Sequence, residues 1–165
     1  MNFAEIVANL TDVLDITGKV PEQIDNVVYD SRRVKPGSMF IAVTGFSKDG
    51  HEFIPEAVEK GAVLVVGEKE FPLLEIPYIR VKNSRKALAE MASLFYGFPS
   101  KKLKIIGVTG TNGKTSSTYL LKGIYDYLGE KSGIIGTMGV LIDKKKLKIY
   151  NTTPEAADIQ RYLKM

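Results

Sequence analysis

Apolar positions along the chain fall into short runs and helical stripes that alternate. Phe3, Ile6, Val7 and Leu10 share one face of a predicted helix over residues 3–10. Val27-Val28-Tyr29 reads as a buried strand that ends at Asp30-Ser31-Arg32-Arg33. Lys35-Pro36-Gly37-Ser38 is a turn, with Pro36 presetting φ and Gly37 free to take a positive one. Met39–Val43 is a second strand, and Thr44–Gly50 a polar loop containing Asp49. The next helix is expected to begin near Pro55, bury Ile54, Ala57 and Val58, and stop at Gly61. Val63–Val66 is a third strand and Ile79-Arg80-Val81 lies in a fourth. Residues 84–96 place Leu88, Met91, Ala92 and Phe95 at helical spacing. Strands that alternate with helices predict an α/β sheet. This first unit closes at the polar, Pro-containing stretch Phe98-Pro99-Ser100-Lys101-Lys102, which divides the chain into residues 1–98 and 99–165.

The second segment starts with an apolar strand pattern, Leu103–Ile106, and the glycine-rich run Gly107–Ser116. A helical stripe of Leu121, Ile124 and Leu128 follows. Strand, glycine loop and helix, in that order, are the context of a phosphate-binding loop. Glycines let successive backbone N–H groups turn toward one anion, and the helix directs its positive end at the same place. Lys114 adds a full charge, and the Thr115 hydroxyl can ligate a nucleotide's Mg²⁺. The general pattern wants glycine where Val108 stands, since the glycines here are at 107, 110 and 113. A glycine-rich turn that binds nothing is the alternative. Gly133–Thr137 reads as a parallel-type strand. Val140–Ile142 and Leu147–Tyr150 form a hairpin about Asp143–Lys146. A last helix is expected with Thr153 as N-cap and Pro154 as its first residue, its apolar face carrying Ile159, Tyr162 and Leu163.

Hydrophobic residues make up 44% of the sequence, enough for a packed core. The absence of cysteine removes disulfides, thiolate metal sites and a thiol nucleophile. The formal charge of +4 sits largely in Lys101, Lys102, Lys104, Lys144–Lys146 and Lys148, without the aromatic interleaving of a nucleic-acid surface. No apolar stretch is long enough for a bilayer and no secretion signal opens the chain, so a cytoplasmic protein is expected, with neither nucleic-acid nor membrane partners. The second segment holds about half of a nucleotide-binding sheet, so the expectation is an N-terminal fragment of a longer protein, with a small protein closed by oligomerisation as the alternative. Two apolar runs end in Asp, at Asp143 and Asp30, but neither makes a convincing metal site. Glu155, at a helix start, is the better carboxylate.

Asp30-Ser31-Arg32, Val34–Gly37, Phe40–Ala42 and Asp49–Phe53, taken together, resemble the first domain of the Mur ligases. Gly107–Ser116 is similar to that family's variant phosphate loop, glycine spacing included. Ile135-Gly136-Thr137 and Asn151–Pro154 look like the branch that adds the third residue of the peptidoglycan stem peptide. The resemblance covers the whole chain. It implies a small N-terminal α/β UDP-precursor-binding domain (1–98), followed by the start of a P-loop-type central ATPase domain (99–165). It implies an ATP- and Mg²⁺-dependent ligase that phosphorylates the carboxylate of UDP-MurNAc-L-Ala-D-Glu for attack by a diamino acid, meso-diaminopimelate or L-lysine, and a monomer. Carried over by motif, Ser31, Phe46, Ser47 and Lys48 would contact the UDP end. Gly110, Thr111, Asn112, Gly113, Lys114, Thr115 and Ser116 would hold the ATP phosphates, with Lys114 supplying charge. Thr115 and Glu155 would ligate Mg²⁺, and Asn151, Thr152 and Thr153 would reach the muramoyl-dipeptide.

The family's carboxylated lysine, adenine-contacting segment and C-terminal domain have no counterpart in these residues, so this chain alone is expected to be inactive. A non-catalytic precursor-binding module and an unrelated P-loop NTPase are the competing functions. Each site also has a plainer role. Ser31 could cap a turn beside Asp30, and Glu155 could be a favourable helix-start charge. His51 could be a surface or helix-start residue, and Asp49 a structural loop residue.

Overall fold

The computed structural model describes residues 1–19, 21–45, 48–71, 74–147 and 154–165. The chain divides into two units, Met1–Phe98 and Pro99–Met165.

The first unit begins with α1 (Phe3–Asn9). A capping box starts it: the Asn2 side chain accepts the Glu5 N–H at 2.9 Å, and the Glu5 carboxylate accepts the Asn2 N–H at 2.8 Å. Then come β1 (Val13–Thr17), β2 (Asn26–Val28), β3 (Ser38–Ile41), α2 (Ile54–Glu59), β4 (Ala62–Gly67), β5 (Tyr78–Val81) and α3 (Ser84–Phe95). The strands form one sheet in the order β1-β5-β4-β3-β2. β2 through β5 are parallel, and β1 lies antiparallel on β5. β1 has no counterpart in the sequence reading. Its Val-Leu-Asp-Ile-Thr is neither an apolar run nor a clean alternation, and a bulge between Val13 and Asp15 breaks its register.

Every residue of β3 is buried, because a central parallel strand is covered on both faces and shows no alternation. Phe40, Ala42 and Val65 face Ile54 and Ala57 of α2, together with Val28 and Val34. The pleat turns Met39, Ile41, Leu64 and Val66 to the opposite face. There α3 crosses β2, β3 and β4 and buries Ala87, Leu88, Met91 and Ala92. Leu88 and Met91 each contribute about 1.5–3 kcal/mol of transfer free energy, and the two alanine methyls less. The helix ends are fixed by glycine. Gly61 (φ +92°) ends the α2 turn, where an added Cβ would lie 3.0 Å from Pro36 Cα. Gly97 (φ +75°) closes α3 with the Phe98 N–H on the Ser93 carbonyl at 2.7 Å and the Gly97 N–H on the Leu94 carbonyl at 3.0 Å.

The second unit contains α4 (Lys114–Tyr127), β6 (Gly133–Gly136), β7 (Gly139–Ile142), β8 (Lys145–Leu147) and α5 (Ala156–Lys164). It corrects the sequence reading in four places. Leu103–Ile106 forms no strand: a strand needs a hydrogen-bonded neighbour, and the strands described in this unit pair only with one another. β6 is not a parallel-type strand. It pairs antiparallel with β7, and β7 with β8, in a meander. The hairpin tip shrinks to Asp143-Lys144, with Asp143 at φ +50° and Lys145 and Lys146 inside β8. The last helix begins at Ala156 with Glu155 as its N-cap, so Pro154 precedes it. Thr153 lies outside the described residues. The expected stripe of α4 is also largely open to solvent, with Ile124 56% and Leu128 64% exposed.

Candidate functional site

The glycine-rich run joins α4 at a sharp, specific corner. Gly113 is the N-cap, at φ +79° and ψ −11°, a left-handed conformation that costs most residues dearly. Glycine brings no capping side chain, and α4 has no side-chain cap hydrogen bond. The first-turn N–H groups of a helix have no intrahelical acceptor, so here they are left to an external one. Gly110 also has a positive φ, +147°. A Cβ built on Gly107 or Gly113 would meet nothing within 4 Å, so the loop backbone is bare and approachable. Fourteen residues of helix stand behind it and aim their dipole at the same point. The Lys114 ammonium folds back over the loop, donating to the Gly110 carbonyl at 2.5 Å and the Thr111 carbonyl at 3.3 Å. Gly110, Thr111, Asn112, Gly113, Lys114, Thr115 and Ser116 are therefore one contiguous, exposed surface. Thr115 also lines a shallow depression with Thr118 and Tyr119 of α4 and Gly136, Thr137 and Val140 of the β6–β7 hairpin. Glu155 is held at the start of α5, its carbonyl accepting the Ile159 N–H at 3.0 Å.

In the first unit, the residues singled out follow the C-terminal ends of parallel strands. Ser31 follows β2 and Lys48 follows β3. Open parallel sheets bind ligands at that edge. Ser31 is not the turn's cap. Asp30 fills that role, accepting the Arg32 N–H at 3.0 Å and pairing with its guanidinium. The buried Ser31 hydroxyl instead donates to Glu56 Oε2 at 2.8 Å, and Lys60 Nζ donates to Glu56 Oε1 at 2.5 Å and to the Ser31 carbonyl at 3.3 Å. The Lys60 hydrogen bond, and after it the Ser31 one, holds the Glu56 carboxyl below the usual range. Sequence reasoning passed over Glu56 and Lys60. Their i,i+4 spacing in a helix opening at Pro55 was the available signal. The Lys48 ammonium stands 5.9 Å from the centre of the Phe53 ring. Phe46, Ser47, Asn151, Thr152 and Thr153 lie outside the described residues.

His51 is a helix-start residue, in the 3-10 turn Gly50–Phe53 that leads into α2, and it is not on the surface. It is 5% exposed, and both ring nitrogens are committed. Nε2 accepts the Glu68 N–H at 2.9 Å, which fixes the proton on Nδ1, and Nδ1 donates to Asp49 Oδ1 at 2.6 Å. Asp49 also accepts the His51 N–H at 3.0 Å and pairs with Lys69 Nζ at 2.5 Å. These donors, Lys69 first, hold the Asp49 carboxyl well below the usual carboxylate range. A depressed carboxyl stabilises the fold above its unfolded value, about 3.9, and that contribution fades as pH falls toward the folded value. Asp49→Asn is therefore expected to cost about 1 kcal/mol at neutral pH and to flatten the decline in stability below pH ~4. Urea midpoints measured from pH 7 to pH 3 check it, and parallel curves for variant and wild type would refute it.

Residues 23–96 match the Mur ligase family, catalytic domain, and residues 108–165 match the Mur ligase middle domain.

The chain belongs to the Mur ligase family.

It is 44% identical over 154 residues to the UDP-N-acetylmuramoyl-L-alanyl-D-glutamate--2,6-diaminopimelate ligase of Alkaliphilus metalliredigens, covering 93% of this chain and 31% of that relative. It is 46% identical over 153 residues to the ligase of the same name from Clostridium tetani, covering 90% of this chain and 32% of that one. A solved structure of such a diaminopimelate ligase superposes with a TM-score of 0.76 at 25% identity, over 99% of this chain and 33% of that one. The Thermotoga maritima MurF ligase, solved in complex with ADP, gives a TM-score of 0.55 at 27% identity, over 84% of this chain and 28% of that one. This Mur ligase chain thus spans only about a third of the length of the relatives it matches. Among its described residues no helix is long and apolar enough to cross a membrane.

Proposed function

We propose that the chain carries the precursor-binding and ATP-phosphate-binding parts of an ATP-dependent amide ligase of peptidoglycan synthesis. That enzyme would join a diamino acid, 2,6-diaminopimelate as in the relatives' names, to UDP-MurNAc-L-Ala-D-Glu. The observation that carries this reading is the Gly113–Lys114 corner. There an uncapped helix start, a bare glycine backbone and the ammonium of Lys114 folded over it converge, in the half of the chain that matches the middle domain. Membership of the family speaks against an unrelated P-loop NTPase. A cytoplasmic monomer is the form this reading implies.

ATP, when bound, supplies the phosphoryl group that activates the precursor's carboxylate. The backbone of Gly110–Ser116 would hold its phosphates, and Lys114 would exchange the Gly110 carbonyl for phosphate oxygens. That exchange places the charge where negative charge builds in phosphoryl transfer. The Thr115 hydroxyl and Glu155 carboxylate are hard oxygen donors of the kind Mg²⁺ takes beside phosphates. Ser31, with Phe46, Ser47 and Lys48, would receive the UDP end, and Asn151, Thr152 and Thr153 the muramoyl-dipeptide. Lys114→Ala is expected to weaken Mg²⁺-ATP binding about tenfold, as the loss of a charge-assisted hydrogen bond. Titration with a fluorescent ATP analogue measures it, and unchanged affinity would sink the assignment.

A further inference from the structure

Ser31 and Glu56 together set the polarity of the first unit's edge. A serine hydroxyl has one proton and two lone pairs. The Ser31 proton goes to Glu56 Oε2 at 2.8 Å. An ionised carboxylate can only accept, so this bond has one possible direction. Lys60 keeps Glu56 ionised and in place: its ammonium lies 2.5 Å from Oε1, one helical turn along α2, and also reaches the Ser31 carbonyl. The neighbouring charge is engaged too, since Arg32 is bound to Asp30 through two nitrogens, at 2.9 and 2.8 Å. What Ser31 retains for anything outside this cluster is lone pairs.

We infer that Glu56 is a positioning residue that makes Ser31 an acceptor toward its ligand, so that Ser31 receives an N–H or O–H of a uridine diphosphate and not a phosphate oxygen. The inference rests on the reading that the UDP end binds beside Ser31, and it deepens that reading. A phosphate oxygen has no proton to give at neutral pH, so against a hydroxyl acting only as acceptor it finds no hydrogen bond. Two groups of uridine qualify: the imide N3–H of the base and the ribose hydroxyls. Both present the same chemistry, a neutral donor, and ligand analogues separate them. Glu56 touches no reacting atom in this scheme. It acts only through the hydroxyl it orients. A carboxamide at position 56 can donate as well as accept, so it releases the Ser31 proton and blurs the choice.

The test is calorimetric titration of the full chain with UDP, N3-methyl-UDP, 2′-deoxy-UDP, 3′-deoxy-UDP and uridine. Wild type is compared with Ser31→Ala, Glu56→Gln and Glu56→Ala, and thermal melts confirm that each variant is folded. The expected result is that one analogue, the one lacking the donated proton, binds wild type about tenfold more weakly than UDP. Ser31→Ala should bind that analogue and UDP alike. Glu56→Gln should lower the preference at least about threefold while its melting temperature stays near wild type. A structural role for Glu56 alone would move the melt and leave the preference untouched, and that outcome overturns the inference. It also falls if no analogue is disfavoured while Ser31→Ala weakens UDP but not uridine, because Ser31 then donates to the diphosphate. Wild type that binds no UDP removes the underlying reading, and this inference with it.

Discussion

His51→Ala is expected to lower the stability of the Met1–Phe98 unit by about 3–4 kcal/mol. The imidazole joins segments that meet nowhere else in sequence. It binds Asp49 at the start of its own turn and the Glu68 N–H at the exit of β4. Around it the Tyr78 hydroxyl donates to the Lys69 carbonyl at 2.7 Å, and Glu68 accepts both the Ser84 N–H and the Ser84 hydroxyl at 2.8 Å. Truncation leaves the Glu68 N–H without its acceptor, at about 1–3 kcal/mol. It removes a charge-assisted bond from Asp49, and it opens a cavity against Gly67. Gly67 is glycine for this ring: an added Cβ would stand 2.7 Å from His51 Nε2 and 2.5 Å from the Tyr78 hydroxyl. Urea denaturation followed by far-UV circular dichroism measures the loss. A change below about 1 kcal/mol would mean the network is dispensable.

Gly113→Val is expected to weaken Mg²⁺-ATP binding about 30-fold or more and to fray the start of α4. A β-branched residue at φ +79° carries roughly 1–3 kcal/mol of backbone strain. Crowding does not explain the effect in the free chain, since a Cβ there meets nothing within 4 Å. Gly113→Asn separates the two consequences. Asparagine tolerates the left-handed region, so helix content by circular dichroism should recover. ATP binding should not recover, because a side chain still stands in the anion's path. If the Val variant binds ATP as well as wild type, the corner is a turn and not a cradle.

The first sheet's parallel strands and the helices α2 and α3 were legible because each is an apolar run or stripe punctuated by glycine or proline. β1 was not, because an edge strand is specified by the neighbour it finds, and its own residues Leu14, Asp15 and Thr17 are exposed. Leu103–Ile106 failed for the converse reason: an apolar run states a capacity for pairing, and pairing takes two strands. Parallel and antiparallel are likewise relations between strands, so β6 could not declare its direction alone. In the candidate site, Gly110–Ser116 was readable because all its chemistry is local. The His51–Glu68 and Ser31–Glu56 hydrogen bonds were not, since they join residues 17 and 25 positions apart.

The antiparallel β1 has a consequence for how copies of this chain meet. It closes one border of the sheet with a bulged, partly acidic strand, and the opposite border, β2, is only three residues long. Irregular, charged or very short borders offer a poor template for backbone pairing with another molecule. The sheet's interior strands are strongly apolar, yet they meet solvent at neither rim. Edge-to-edge pairing through this sheet is therefore disfavoured by the shape of its margins and not by its composition.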